Sequence, residues 1–211
     1  MTERPRVLIS GFGPFPGVPQ NVSSDVVVAA AHRISTRAQT ADPQAAPEVI
    51  PLLLPTEWGI AADALAREFE RSEPHAYIGF GVAKRIRGFV IETLARNEAK
   101  QVDAAAQAPA SQRLCADAAR YRVASWNARR LVRRLRGDGL PACRSLNAGS
   151  YLCNNVLFEA VARPGRAQRV LGAGFAHLPA GLADGDVGAL SFVRAVDGAV
   201  AMIDEMLARP R

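Results

Sequence analysis

The sequence is short of several things, and each shortage removes a class of function. Its 211 residues contain only three cysteines, Cys115, Cys143 and Cys153. An odd number with no C-x-x-C pair fits neither a disulfide framework nor a zinc ribbon, so Cys115 and Cys143 read as structural and no metal or cofactor is expected. No apolar run approaches the roughly 18–20 residues of a membrane span. The segment Met1–Ile9 lacks the long apolar stretch of a signal peptide. A cytoplasmic protein with no membrane partner is expected. Lysine is scarce: Lys84 and Lys100 are the only two, so arginine carries the net charge of +6. The densest cluster is Arg129, Arg130, Arg133, Arg134 and Arg136. Ala128, Leu131, Val132 and Leu135 between them are spaced to face a core from one side of a helix, which makes the arginines its solvated face. No aromatic residues interleave with these charges, so a nucleic-acid partner is not expected.

What is present describes a globular chain. Hydrophobic residues make up 49% of it, enough to build one core in a single domain spanning residues 1–211. Strand-like and helix-like segments alternate. Arg6–Ser10 is a short β-branched run, Glu48–Leu54 a second with Pro51 pointing to an edge position, and Ala76–Gly81 a third. Arg169–Pro179 is the last clear strand. Helical spacing predicts helices over 25–33, 56–71, 125–136 and 191–209, and another beginning near Cys153. Residues 35–47 and 102–111 read as surface connections, the second a flexible one. This alternation predicts an α/β fold, a three-layer α/β/α arrangement around a twisted, largely parallel (mixed) central sheet.

Three places could carry chemistry. The first is Gly11–Asn21, a glycine- and proline-rich loop at the C-terminal end of the first strand, the end where open α/β sheets bind ligands. Its spacing is G-x-G-x-x-x-G, and Pro14, Pro16 and Pro19 remove N–H donors that a pyrophosphate nest requires, which argues against a nucleotide. Phe12 and Phe15 on this loop either line a site or tuck the loop onto the core. The second is Ser145–Phe158, which passes from small polar residues through Gly149 and Ser150 into an apolar helix. Cys153 falls at or near its first turn, where unpaired N–H groups and the helix dipole favour a thiolate. Most cysteines are small buried hydrophobes, so position alone does not decide the matter. The third is His177 at the C-terminal end of the last strand. His32 lies within a helix and His75 at the opposite strand end, which leaves His177 as the histidine available to a nucleophile. Glu92 lies inside the apolar run Phe89–Ala95, where a carboxylate is costly unless it is paired, unless the run is an exposed edge.

Taken together, four segments resemble the pyroglutamyl-peptidase I (pyrrolidone-carboxylate peptidase) family of cysteine peptidases. Gly11-Phe-Gly-Pro-Phe15 with Gly17 and Asn21-Val-Ser23 resembles its G-F-x-P-F-x-G and N-P-S. Ile91-Glu-Thr-Leu-Ala-Arg-Asn97 resembles P-E-R-V-A-x-N. Asn147–Asn155 resembles T-A-G-x-x-x-C-N-H, and Phe175–Pro179 resembles F-I-H-V-P. The order along the chain is the same. The resemblance implies Cys153 as nucleophile, His177 as its base and Glu92 as the carboxylate that orients the imidazole. It implies Phe12, Phe15 and Asn21 as substrate-binding residues, and a peptide with a blocked, pyroglutamyl N-terminus as substrate. It also suggests a homo-oligomer, a dimer or tetramer. The sequence departs from the family at Asn155, where a histidine is usual, and at Val22. It departs again over Gly79–Arg85, which carries Phe80 where the family has G-Q-A-G-G-R, and after Asn97. Another small amide or lactam is therefore a second expectation for the substrate. A non-catalytic binding protein on the same fold is a third reading, of a different class.

Overall fold

The computed structural model describes residues 4–40, 46–163 and 171–208. Among the described residues eight strands are formed: β1 Arg6–Phe12, β2 Glu48–Leu54, β3 Ala76–Ala83, β4 Phe89–Glu92, β5 Leu94–Arg96, β6 Tyr121–Val123, β7 Ala142–Ser145 and β8 Gly172–Pro179. Five α-helices accompany them: α1 Val22–Thr40, α2 Ile60–Ser72, α3 Ala128–Gly137, α4 Leu152–Ala162 and α5 Phe192–Leu207. Six strands make one sheet in the order β2-β1-β3-β8-β4-β7, and β5 and β6 form a separate antiparallel ribbon beside α4. Val7, Leu8, Ile9, Ile78, Phe175 and Ala176 have no exposed surface, as expected of central strands covered on both faces. Helices α1, α3 and α5 pack together, as do α2 and α4, which gives the three layers. Pro51 lies on β2, at the sheet's edge, where a missing N–H costs least.

The sheet reverses once. β2, β1, β3 and β8 run parallel, β4 pairs antiparallel with β8, and β7 runs parallel to β4. A period-2 pattern fixes which face a residue occupies but not the direction of its strand, so the sequence left the location of this reversal open.

Several boundaries differ from expectation for identifiable reasons. The first helix begins at Val22 and runs to Thr40, so residues 35–40 are helical rather than connecting. Ile34 and Ala38 continue the buried stripe of Val27 and Ala30 at helical spacing, and the intervening polar residues form only the outer face. α2 starts at Ile60 rather than Thr56 because Gly59 has a φ of 75°, which breaks the helix before it. α3 starts at Ala128 because Asn127 caps it, its side chain accepting from the Arg130 N–H at 3.0 Å. The expected strand residues Arg169 and Val170, the C-terminal helix residue Arg209 and part of the 35–47 connection lie outside the described residues.

Three of the five arginines of α3 have partners. Arg130 pairs with Glu205, Arg134 with Asp138 at 2.8 Å, and Arg136 donates to the Ala142 carbonyl at 2.8 Å. Cys115 and Cys143 are exposed thiols rather than core residues. At Cys115 the backbone carries the contact, since Asn97 accepts from its N–H and donates to its carbonyl. Among the described residues no helix is long and apolar enough to cross a membrane.

Candidate active site

The geometry begins with the register of three neighbouring strands. Gly81 of β3 lies opposite His177 of β8, so their side-chain positions share one face of the sheet. On the other flank, β4 runs antiparallel with Val90 opposite His177 and Glu92 opposite Phe175. Glu92 and His177 are therefore diagonal neighbours on the same face, a separation that long side chains can bridge. They do: His177 Nδ1 lies 2.9 Å from Glu92 Oε1. Both residues are buried, Glu92 at 1% and His177 at 8% exposure. The apolar run Phe89–Glu92 is thus an interior strand, and its carboxylate has the partner that burial demands. Glu92 Oε2 has no hydrogen-bond partner among the described residues, so the carboxylate depends on His177. The Glu92 backbone is held as well, its carbonyl accepting from Trp126 Nε1 at 3.0 Å.

Cys153 approaches His177 from the helical layer. It is the second residue of α4 and half-buried. A Cβ added at Gly81 would lie 2.8 Å from Cys153 Sγ and 2.8 Å from Phe175 Cζ, so the missing side chain is the space the sulfur occupies. Burial alone would lower the His177 pKa. The hydrogen bond and charge of Cys153, followed by those of Glu92, outweigh it and push the imidazole up to about 10. With Nδ1 committed to Glu92, Nε2 is the nitrogen left for the sulfur.

The turn before α4 is ordered by its own polar atoms. Ser145 Oγ accepts from the Asn147 N–H at 3.0 Å, Asn147 Oδ1 accepts from the Gly149 N–H at 3.2 Å, and Gly149 has a φ of 84°. Tyr151 supplies no side-chain cap, and the first intrahelical bond runs from the Asn155 N–H to the Tyr151 carbonyl. The N–H groups of residues 152–154 therefore have no partner within the helix, leaving donors and the positive end of the dipole beside the sulfur. Asn154, fully buried, locks the helix to β5: it accepts from the Arg96 N–H and donates to the carbonyls of Arg96 and Glu98.

An aromatic wall stands above this helix start. Tyr151 meets Phe15 at a ring separation of 6.1 Å and the Trp58 ring at 5.6 Å, edge-on. Trp58 is placed by residues 100–107. Asp103 Oδ2 accepts its N–H, its Nε1 donates to Gln101, and the Lys100 N–H donates to Ser150. Asp103 Oδ1 also accepts from Ala105 and Gln107. Burial alone would raise this carboxyl, but the backbone N–H groups hold it below the usual carboxylate range. The stretch expected as a flexible excursion is a clasp built around one buried aspartate. Burial, with the charges of Asp103 and Cys153, pushes the Tyr151 phenol up to about 12, so it stays a neutral donor.

The three residues expected to bind substrate have separate placements. Phe15 belongs to the aromatic wall. Phe12 is the last residue of β1 rather than a loop residue; it is 2% exposed and packs on Phe175 at 6.3 Å. Asn21 uses both ends of its amide inside its own loop, donating to Gly13 and accepting from the Ser23 N–H and hydroxyl. Trp58, Asp103, Tyr151 and Asn154 were missed by sequence reasoning. For Asp103 and Asn154 the signal was a polar residue in an unpromising place, an aspartate in an alanine-rich loop and an asparagine in the first turn of an apolar helix.

The family model for pyroglutamyl peptidase matches residues 5–202. The chain belongs to this family. It is 31% identical over 175 residues to the pyrrolidone-carboxylate peptidase of Chromobacterium violaceum, covering 82% of this chain and 77% of that one. It is 32% identical over 176 residues to that of Gloeobacter violaceus, covering 82% and 81%. The fold matches a mutant pyrrolidone carboxyl peptidase from the hyperthermophile Pyrococcus furiosus with a TM-score of 0.81 at 22% identity, over 96% of this chain and 98% of that one. The Thermococcus litoralis pyrrolidone carboxyl peptidase gives 0.78 at 24% identity, covering 96% and 93%. The chain is accordingly an α/β cysteine peptidase of this family.

Proposed function

We propose that this chain hydrolyses the amide bond after an N-terminal pyroglutamyl residue, with Cys153 as nucleophile, His177 as acid and base, and Glu92 as the group that orients the imidazole. The observation that carries the reading is the buried Glu92–His177 pair, 2.9 Å apart, facing a cysteine at the start of a helix. Cys153 Sγ attacks the pyroglutamyl carbonyl carbon, and the carbonyl oxygen takes up the negative charge beside the free N–H groups at the start of α4. Collapse breaks the C–N bond as His177 Nε2 gives its proton to the departing amine. Water then attacks the thioester, losing a proton to His177. The C–S bond breaks to release pyroglutamate, and the proton returns to the Cys153–His177 pair. Glu92 holds Nδ1–H throughout and stabilises the imidazolium.

Phe15, Tyr151 and Trp58 supply flat apolar surface for an uncharged lactam. Phe12 and Asn21 act one layer back, Phe12 by seating Phe175 and Asn21 by fixing the Gly13 turn. The working form is a single peptidase domain in the cytoplasm, assembled as a dimer or tetramer.

The test is release of a fluorophore from a pyroglutamyl amide under reducing conditions. Turnover is expected and should be lost in Cys153→Ala; a folded wild-type chain without turnover refutes the proposal. One observation favours a second reading, another small amide or lactam as substrate. Phe80 is fully buried and apolar at the position where the family motif has glutamine, so β3 offers no side-chain amide there. Labelling of Cys153 by a small electrophile without pyroglutamyl turnover would select that reading.

A further inference from the structure

The strand that carries Glu92 and the strand that carries His177 are joined by an indole that the proposed chemistry does not use. Trp126 lies in the short segment between β6 and α3 and is 6% exposed. Residues 124–126 are fastened to both strands. At β8 the Ser125 N–H donates to the Ala173 carbonyl at 3.0 Å, and the Ala173 N–H donates to Ser125 Oγ at 2.8 Å. At the end of β4 the Ala124 N–H donates to the Thr93 carbonyl at 3.0 Å, and Trp126 Nε1 donates to the Glu92 carbonyl at 3.0 Å. Two consecutive carbonyls are thus held by one segment, and that segment is itself anchored on the histidine strand.

β8 leaves room for the ring. A Cβ added at Gly174 would fall within the indole, and one at Gly172 would lie 3.0 Å from Trp126 Cα, so both glycines are needed for this seat. Phe175 and His177 project to one face of β8 and Gly174 to the other. The Cys153 sulfur stands over the first face, beside Phe175 and position 81, and the indole covers the reverse. Trp126 therefore acts on the chemistry only through Glu92. The pairing of β4 with β8 ends at Glu92, opposite Phe175, so the carboxylate is carried by the last residue of its strand, where a ladder opens most readily.

On the Cys153–His177–Glu92 assignment proposed above, we infer that Trp126 is a positioning residue, whose indole N–H ties the Glu92 backbone to β8 and so holds the carboxylate against His177. The ionisable groups that act on the imidazole are Cys153 from α4 and Glu92 from β4, and Trp126 fixes the second of these. At an effective dielectric constant near 20, a retreat of the carboxylate by about 1–2 Å lowers the imidazole by about half to one pKa unit.

Trp126→Phe keeps a ring on Gly174 and removes the donor. The readouts are an NMR pH titration of the His177 imidazole in the full chain labelled with ¹³C-histidine, and kcat and KM against pH on a pyroglutamyl amide. His177 should titrate about half to one unit below wild type, with the alkaline limb of kcat moved equally. At the pH optimum kcat should fall about tenfold while KM stays within about twofold, because the ring lies away from the substrate. The comparator is Ile34→Ala in α1, which packs on β1, β2 and β3. It should lower stability and leave the His177 titration unmoved. An unmoved His177 in Trp126→Phe overturns the inference, even where kcat falls, because loss of packing alone would act as Ile34→Ala does. If the phenylalanine variant does not fold, hydrogen exchange of the Trp126 indole N–H in the wild-type chain decides. Exchange as slow as that of the β8 amides supports the tie, and exchange more than about tenfold faster overturns it. The titration needs no substrate. A folded wild-type chain without pyroglutamyl turnover therefore refutes the substrate reading, while His177 still decides the role of Trp126.

Discussion

Glu92→Gln removes a charge while keeping the size and shape of the side chain. Glu92 Oε1 and His177 Nδ1 are 2.9 Å apart in a buried setting. Unit charges centred about 4 Å apart interact by about 4 kcal/mol at an effective dielectric constant near 20. At 1.36 kcal/mol per pKa unit that is about 3 units. The imidazole, held up to about 10 by Cys153 and Glu92, should fall toward neutrality in the variant. Glutamine can also present its NH₂ to Nδ1, which would stabilise the wrong tautomer, a fault worth up to about 10⁴ in kcat in the serine-protease case. The expected result is a loss of about 10²–10⁴ in kcat/KM on a pyroglutamyl amide, with the alkaline limb of its pH profile moved down by about 2–3 units. The assay is kcat/KM against pH alongside the rate of Cys153 alkylation against pH. A Glu92→Gln enzyme within twofold of wild type, with an unmoved alkaline limb, would refute the assignment of Glu92 as the orienting charge.

Other outcomes follow from the same contacts. His177 is raised in the folded state, so its contribution to stability is complete below the unfolded value of about 6.5 and disappears as pH rises toward about 10. Thermal melts should therefore show Tm falling across that window, and His177→Gln should flatten the fall. Gly81→Ala puts a methyl group 2.8 Å from the sulfur and from Phe175, costing about 1–3 kcal/mol by overpacking and displacing the nucleophile. Activity should suffer more than stability, as urea melts and kcat measured together would reveal. Asp103→Ala removes the acceptor of the part-buried N–H groups of Trp58, Ala105 and Gln107. A loss of about 2–3 kcal/mol by urea melts is expected, with KM raised more than kcat is lowered, because Trp58 loses its anchor.

The parts of the site that were legible in the sequence are those that break a local pattern. Cys153 stands where small polar residues give way to an apolar helix, His177 closes an apolar strand, and Glu92 interrupts another. A polar group inside an apolar run must find a partner, and that requirement is visible without coordinates. Helix α1 was underestimated because its outer face carries Ser35, Thr36 and Arg37, which read as a loop until Ile34 and Ala38 are seen to be buried. Trp58 fits the apolar face of α2 on a helical wheel, yet the positive φ of Gly59 detaches it and frees it to meet Tyr151. Asp103 and Asn154 act through backbone groups distant in sequence, and no periodicity marks such residues.

The reversal at β4 matters most for the chemistry. In the antiparallel register Glu92 is opposite Phe175, one diagonal step from His177, so the carboxylate reaches Nδ1 along the sheet face. Gly81, on the opposite flank, contributes no side chain, and the sulfur of α4 descends into that gap from the other side of the ring. The imidazole is thus held between a strand and a helix that belong to different parts of the chain. Each approaches one nitrogen, so the tautomer is set by backbone topology before any substrate arrives. Among the described residues the Glu92 carboxylate has no hydrogen-bond partner besides His177, which makes it a poor contributor to stability on its own. Its energetic cost has a physical rationale only if the charge acts on His177. A site maintained for folding alone would be served as well by an apolar residue at position 92.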